Sequence, residues 1–361
     1  CMMKRVLSVV LSTVIAVSLV ACAAGASGSS ESMRGSDATT GGQTVSEDAP
    51  YGTYHWNLAM TVSESTTNYK MAKYFADLVR AKTDGSIDIE LYPGGQLGNT
   101  TEENEACYSG SIEFVTGMTT DLTDFVRQMA LFDMPNLFDD IDHMRRFLES
   151  DYALKQINAY CEASGIHMLA FSDAGFRELT TNVPTRSVSD LKGQKIRVMT
   201  NKYHIAYWNA IGASAVPMQF SELFMGLQQG TVDGQENPYM NIVGNNLQEV
   251  QKYVVETNHL GHIIIFFMND DLYESLPDDT KMLLDDCAAE AAEYAKQIAA
   301  DSIEQDKQTV ENAGCQIVQF SEDDLAVLRD KSQVVYDMVK EDLGEDTVQN
   351  FLTAVDAVRE K

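Results

Sequence analysis

The stretch PDDTKMLLDDCAAEAAEYAKQIAADSIEQDKQTVENA, Pro277 to Ala313, decides the architecture. After its first residue it holds no proline or glycine, and Leu284, Cys287, Ala291, Tyr294, Ile298 and Ser302 recur at helical spacing. Gly314 supplies a stop. At ~1.5 Å per residue such a helix extends ~55 Å. That exceeds one small domain, so the helix is expected to lie across two. The length agrees: 361 residues, 44% of them hydrophobic, are enough for two cored domains.

Upstream, HIIIFFMN (His262–Asn269) is an unbroken apolar run, the pattern of a strand buried on both faces. Further back the chain alternates twice between strand-like and helix-like segments. The first alternation is YHWNLAM from Tyr54, a helix over 63–83 with Tyr69, Ala72, Phe75, Ala76 and Val79 on one face, then IDIELYP, a short helix in TEENEACYSGSI, and EFVTGM. It predicts a parallel sheet with helices on its faces, an α/β class. The second starts near HMLAFSDAGFRELTT and passes through KIRVM, ASAVPM and VDGQEN. Between these strands KYHIAYWNAIG closes on Gly212, and SELFMGLQQG is expected to open on Ser221 as N-cap, with Leu223 and Leu227 on its apolar side.

The N-terminal region reads as an export signal. Lys4 and Arg5 precede Val6–Ala21, an apolar run too short for a membrane-spanning helix. It ends in LVAC, Leu19–Cys22, which resembles the lipobox of bacterial lipoproteins. The expectation is a lipoprotein signal peptide over 1–21, lipidation of Cys22, and a flexible Gly/Ser-rich tether over 22–53; a plain signal peptide is the alternative. The remaining cysteines, Cys107, Cys161, Cys287 and Cys315, have no paired spacing and read as small buried apolar residues. A net charge of −28 argues against nucleic acid or an anionic lipid surface as partner, though not against a small anion in a cleft.

Within GQKIRVMT (Gly193–Thr200) a lone arginine, Arg197, interrupts an apolar strand. A buried guanidinium is too costly to keep unpaired, so its partner is either an acidic residue of the chain, such as Glu236, or a ligand. A guanidinium offers planar paired donors that match both oxygens of a carboxylate.

Taken together, GGQLGN, GFRELTTN, DLKGQKIRV, GASAVPMQFSELFMGLQQGTVDGQENP and LQEVQKYVVETNH resemble, in order and separation, the solute-binding proteins of TRAP transporters, the DctP-type family. The match runs from about Tyr54 to the end. The resemblance implies a two-lobed, periplasmic-binding-protein-like fold with the long helix spanning both lobes: 54–174 plus about 263–302 in lobe I, 175–262 plus about 303–361 in lobe II. It implies an extracytoplasmic receptor that closes on a small carboxylate-bearing solute and delivers it to TRAP permease membrane subunits, held to the membrane here through the lipid anchor. Arg197 then matches the family's carboxylate clamp, Arg177 a second arginine, Asn237 the asparagine of QEN and Phe220 the aromatic of the PMxFSE block. Bland alternatives remain for each: an ion pair for Arg177, backbone capping before Pro238 for Asn237, core packing for Phe220. Gln96, Glu64 and Thr119 follow first-lobe strands, where ligands of open α/β sheets gather. The first-lobe loop AMTVSESTTN departs from the family pattern, which leaves the solute open.

The chain carries no Gly-x-Ser-x-Gly elbow, phosphate-cradling Gly-x-x-x-x-Gly-Lys or His-Glu-x-x-His. His259 and His262 share i, i+3 spacing but precede an apolar strand, where packing or capping is the expected role. The reading is therefore a binding protein without cofactor or metal. The alternatives are a receptor for an ATP-driven importer and a secreted enzyme acting on an acidic sugar.

Overall fold

The computed structural model describes residues 50–359. The expected signal peptide, Cys22 and the expected tether up to residue 49 lie outside the described residues. The first elements are β1 (Tyr54–Ala59), α1 (Thr67–Lys82), β2 (Ile87–Tyr92), α2 (Thr100–Tyr108) and β3 (Phe114–Met118), then α3 (Ile141–Leu148) and α4 (Asn158–Glu162). The long β4 (Ile166–Thr181) is followed by β5 (Lys195–Val198), α5 (Lys202–Ile211), β6 (Ser214–Pro217), α6 (Phe220–Gln228), β7 (Gly234–Asn237) and α7 (Tyr239–Gly244). A second long strand, β8 (Tyr253–Asn269), leads through α8 (Asp270–Ser275) into α9 (Asp278–Asn312). The chain then adds β9 (Gln316–Gln319), α10 (Glu322–Lys331), α11 (Gln333–Leu343) and α12 (Glu345–Ala357).

The nine strands of the described residues join one mixed sheet in the order β2-β1-β3-β8-β4-β7-β5-β6, with β9 beside β8. Two wings flank a central pair. β1, β2 and β3 pair in parallel on one side, and β5, β6 and β7 on the other. The expected parallel arrangement therefore holds within each wing and fails at the centre. There β4 and β8, 16 and 17 residues long, run antiparallel to each other and to their flanking neighbours β7 and β3. The two halves of β8 pair with different partners, residues 264–268 with β3 and 253–256 with β9, and β4 adds β7 through residues 178–181.

Register breaks mark the passage from wing to wing, between Asp173 and Phe176 and between Arg177 and Leu179. Gly175 sits in the first break at φ +81°, a left-handed backbone that side chains disfavour. The Asp173 carboxylate beside it receives Arg145 of α3 through Nε at 2.7 Å and Nη2 at 3.2 Å. At the second break the Glu178 carboxylate accepts the backbone N–H groups of Thr257 (2.7 Å) and Asn258 (2.9 Å), which bulge out of β8.

α9, 35 residues long, packs against α1 and β4 through its first part and against α7 and β9 further on. Its Leu284, Cys287, Ala288, Ala291 and Ala295 share a core with Phe75, Phe114 and Phe266, while Val310 joins Leu227, Ile242 and Val254. The buried stripe differs from the expected one. Tyr294 lies out on the surface, stacked on Tyr74 at 4.6 Å, and the line continues instead through Ala292, Ala295 and Ala299. Close approach is the reason: Ser172 Oγ of β4 donates to the Ala292 carbonyl at 3.1 Å, leaving room only for methyl groups.

The three C-terminal helices contribute Leu328, Val335, Val339, Phe351 and Val355 to a core shared with Phe132, Phe147 and Trp208. A second difference is the start of α6. Gln219, not Ser221, is its N-cap, without a side-chain cap bond, so Phe220 is already helical. Cys107, Cys161, Cys287 and Cys315 are buried free thiols.

Candidate functional site

A cavity of about 220 Å³ opens between the two wings. The adjacent strands β4, β7 and β5 build its floor. Because β7 pairs with β4 on one side and β5 on the other, Arg177, then Glu236 and Asn237, then Arg197 stand on three neighbouring strands. Arg177, Arg197, Asn237 and Phe220 all line the cavity. Gln96 and Glu64 do not: both lie exposed in turns, and a helical turn after Glu64 it is Asn68 that reaches the cavity. Thr119 is fully buried in the turn after β3, and its neighbours Met118 and Thr120 line the cavity instead.

Arg177 and Arg197 are both buried, at 1% and 3% exposure, but are treated differently. The Arg177 Nε and Nη2 both donate to the Glu236 carboxylate, the latter at 2.9 Å. Nη2 also reaches the Glu236 carbonyl. His259 Nε2 adds a third contact to the same carboxylate at 3.2 Å. Burial alone would raise the Glu236 pKa; the Arg177 charge and the bonds from His259 and Arg177 outweigh it and hold the carboxyl well below its usual range. Arg177 thus has its counter-ion in the chain.

Arg197 has none. Its Nε donates to the Met218 carbonyl at 2.9 Å, the Phe220 ring lies 5.8 Å from its guanidinium carbon, and Nη1 is buried without a hydrogen bond. Burial brings its pKa down to about 10, with Arg177 pushing the same way and Glu236 and Asp121 opposing. It stays cationic at neutral pH, desolvated and short of an anion. The early start of α6 serves this arrangement, since Met218 and Phe220 on either side of the N-cap both touch Arg197.

Asn237 is neither a backbone cap nor free to turn. A chain of hydrogen bonds runs from the Val250 carbonyl, which only accepts. It receives Gln251 Nε2 (3.0 Å), Gln251 Oε1 receives Thr180 Oγ1 (2.8 Å), and Thr180 Oγ1 receives Gln235 Nε2 (3.0 Å). Gln235 Oε1 then receives Asn237 Nδ2 (2.5 Å), and Asn237 Oδ1 receives Asn241 Nδ2 (3.4 Å). The carbonyl at one end orients every amide along the chain. Asn237 keeps one N–H for the cavity, and Asn241 is left with an unpaired Oδ1.

His262 is fixed by the same logic. Arg177 Nη1 donates to its Nδ1 at 2.8 Å, and a guanidinium cannot accept, so the imidazole carries its proton on Nε2. Burial first, then the Arg177 charge, push its pKa well below the ordinary value, and the ring is neutral. The site therefore presents a cation and neutral donors to an anion.

Two clasps close the cleft. Ser63 and Ser65 donate to the Gly244 carbonyl at 2.5 and 2.8 Å. The buried Asp133 accepts Asn201 Nδ2 at 2.9 Å and pairs with His204 at 3.3 Å, tying the segment after β3 to the start of α5. Among the described residues no group of three or more His, Cys, Asp or Glu could hold a metal ion.

Sequence reasoning missed Asn68, Asp121, Asn241 and the role of His262. Asn241 had a signal, one helical turn after Asn237. His262 had its spacing from His259. Asp121 had none, because a single aspartate in a turn looks like solvated surface.

The model of the bacterial extracellular solute-binding proteins of family 7, DctP, matches residues 58–342. A C4-dicarboxylate-binding periplasmic protein of Rhodobacter capsulatus is 32% identical over 291 residues, covering 80% of this chain and 86% of the relative. Among solved structures, the sugar acid-binding protein DctPAm of Advenella mimigardefordensis, in complex with galactonate, is similar with a TM-score of 0.81 at 25% identity, over 85% of this chain and 99% of the other. A TRAP periplasmic solute-binding protein of Shewanella oneidensis, with bound succinate, gives a TM-score of 0.79 at 27% identity, over 84% and 100%.

Proposed function

Because this chain belongs to the DctP family of bacterial extracellular solute-binding proteins, we propose that it is the extracytoplasmic receptor of a TRAP-type transporter. It captures a small organic acid by lobe closure and hands it to the membrane permease. One observation carries the reading: Arg197 is a buried cation in the interlobe cavity with no carboxylate among the described residues bonded to it. The solute's carboxylate supplies the missing anion, accepting from Arg197, from the remaining Asn237 N–H and from His262 Nε2. Phe220 forms the wall beside the clamp. Arg177 acts by holding Glu236 and His262 in place, and contributes no free charge of its own.

Closure expels water, so the guanidinium–carboxylate pair gains strength over a surface pair. The lobes divide as 54–174 plus about 263–302 and 175–262 plus about 303–361. The register breaks of β4 at 173–179 and the bulge of β8 at 256–258 favour hinges there. Cys22, lipidated, ties the receptor to the outer face of the cell membrane, and labelling with a fatty-acid analogue that Cys22→Ala abolishes is the result expected. The receptor reading is tested by a thermal-shift screen of organic acids against the wild-type protein and Arg197→Met. At least one acid raises the wild-type melting temperature and leaves the variant unmoved. Equal shifts in both proteins, or none in the wild type, overturn it.

A further inference from the structure

The charged groups lining the cavity are Arg177, Arg197, Lys202, Asp121 and Asp124. Arg177 is neutralised by Glu236, and Lys202 Nζ is paired with Asp342 at 2.6 Å. Among the described residues one unpaired cation therefore shares the cavity with two carboxylates. Asp121, in the turn after β3, accepts the Met118 N–H through Oδ2 at 2.8 Å, and its carboxylate makes no other hydrogen bond among the described residues.

Two neutral acceptors stand with it. Asn68 Nδ2 donates to the Gly117 carbonyl at 3.2 Å, which can only accept, so the amide orientation is set and Oδ1 is left buried and unpaired. Asn241 Oδ1 is left unpaired by the amide chain described above. Burial of unpaired acceptors is costly, and each calls for a donor. A carboxylate offers none.

We propose that the solute carries one carboxylate, placed on Arg197, and hydroxyl donors along the rest of its length, and that the cavity refuses a second carboxylate. The hydroxyls give their hydrogens to Asn68 Oδ1, Asn241 Oδ1 and Asp121. A dicarboxylate would instead set its second charge against Asp121 with no free cation to offset it, and one without hydroxyls would also leave all three acceptors empty. This specificity rests on the receptor reading and deepens it. It runs against the dicarboxylates named for two of the similar proteins.

Two matched pairs test it by calorimetric titration of the full chain: 4-hydroxybutyrate against succinate, and galactonate against galactarate. Within each pair only the terminal group changes, from hydroxymethyl to carboxylate. In at least one pair the hydroxylated acid should bind about tenfold or more tighter than its dicarboxylate, a preference of about 1.4 kcal/mol. Asp121→Asn, whose amide oxygen still caps Met118, should shrink that ratio by several fold by admitting the dicarboxylate. Dicarboxylates that bind the wild type as tightly as their partners in both pairs overturn the specificity and leave the receptor reading standing. Binding of none of the four also overturns it. The separate acid screen on wild type and Arg197→Met then tells whether the receptor reading falls too.

Discussion

Arg177 and Arg197 stand two strands apart on the same cavity floor, and both are buried. The chain gives the first a carboxylate, a histidine and a carbonyl, and gives the second a single carbonyl. The contrast separates the two uses of a buried cation. A guanidinium with its counter-ion inside the fold is part of the framework, and its charge is spent before any ligand arrives. One left without an anion keeps its attraction for a partner from outside.

The largest expected effect breaks the first half of the contrast. Glu236→Ala strands Arg177 in the interior, which should cost about 3–5 kcal/mol of stability in denaturant unfolding. Arg197→Met, replacing a cation with no counter-ion by an apolar side chain, should change stability by less than about 1 kcal/mol or raise it while abolishing acid binding. Equal losses in the two variants would erase the distinction drawn here.

A smaller loss should come from Gly234→Ala on β7, the strand between the two arginines. The added Cβ would meet the Thr180 carbonyl oxygen at 2.2 Å, pushing β7 off β4. Overpacking of this kind costs about 1–3 kcal/mol. Acid affinity should fall with it, since Glu236 and Asn237 ride on the same strand; an undisturbed calorimetric affinity would show that the floor tolerates movement.

The pH dependence sharpens the contrast further. Burial pushes Glu103 and Glu178 up to about 8, whereas Glu236 is held well below its usual range. Between pH 8 and about 6.5 the folded protein binds protons on Glu103 and Glu178 that the unfolded chain has released, so stability rises as pH falls through that window; below it the buried His259 and His262, whose pKa values are held down, oppose the rise. The Arg177–Glu236 pair contributes no slope there. The melting temperature should climb by a few degrees from pH 8.5 to about 6.5, and Glu103→Gln should flatten the climb. A melting temperature that falls over that range would contradict the sign. The smallest effect is expected from Phe220→Leu. Losing the ring near Arg197 removes a contact of about 0.5–1 kcal/mol, so acid affinity should weaken only a few fold in the same titration.

Much of the architecture was legible because it rests on local periodicity. The strands at Tyr54, Ile87 and Phe114, the glycine stop at Gly212 and the 35-residue α9 all follow from spacing and punctuation within a few residues. What was misread depended on distant contacts. Tyr294 keeps helical spacing with Ala291 but faces solvent, because β4 approaches too closely for a ring. Ser221 is a good N-cap by type, yet the helix begins earlier where Arg197 takes the Met218 carbonyl. In the site, Arg197, Arg177, Asn237 and Phe220 were reachable from motif blocks, whereas Asn68 and Asp121 come to the cavity only through the folding of the first wing.

The amino-acid order alone determined the alternation of strands and helices, the helix too long for one domain and the presence of arginines in apolar strands, since each depends on neighbours a few positions away. Which arginine would be neutralised was decided by the sheet. Pairing β7 between β4 and β5 set the Glu236 carboxylate on Arg177 and away from Arg197, and a buried charge is governed by the groups within a few ångströms of it, whatever their distance along the chain.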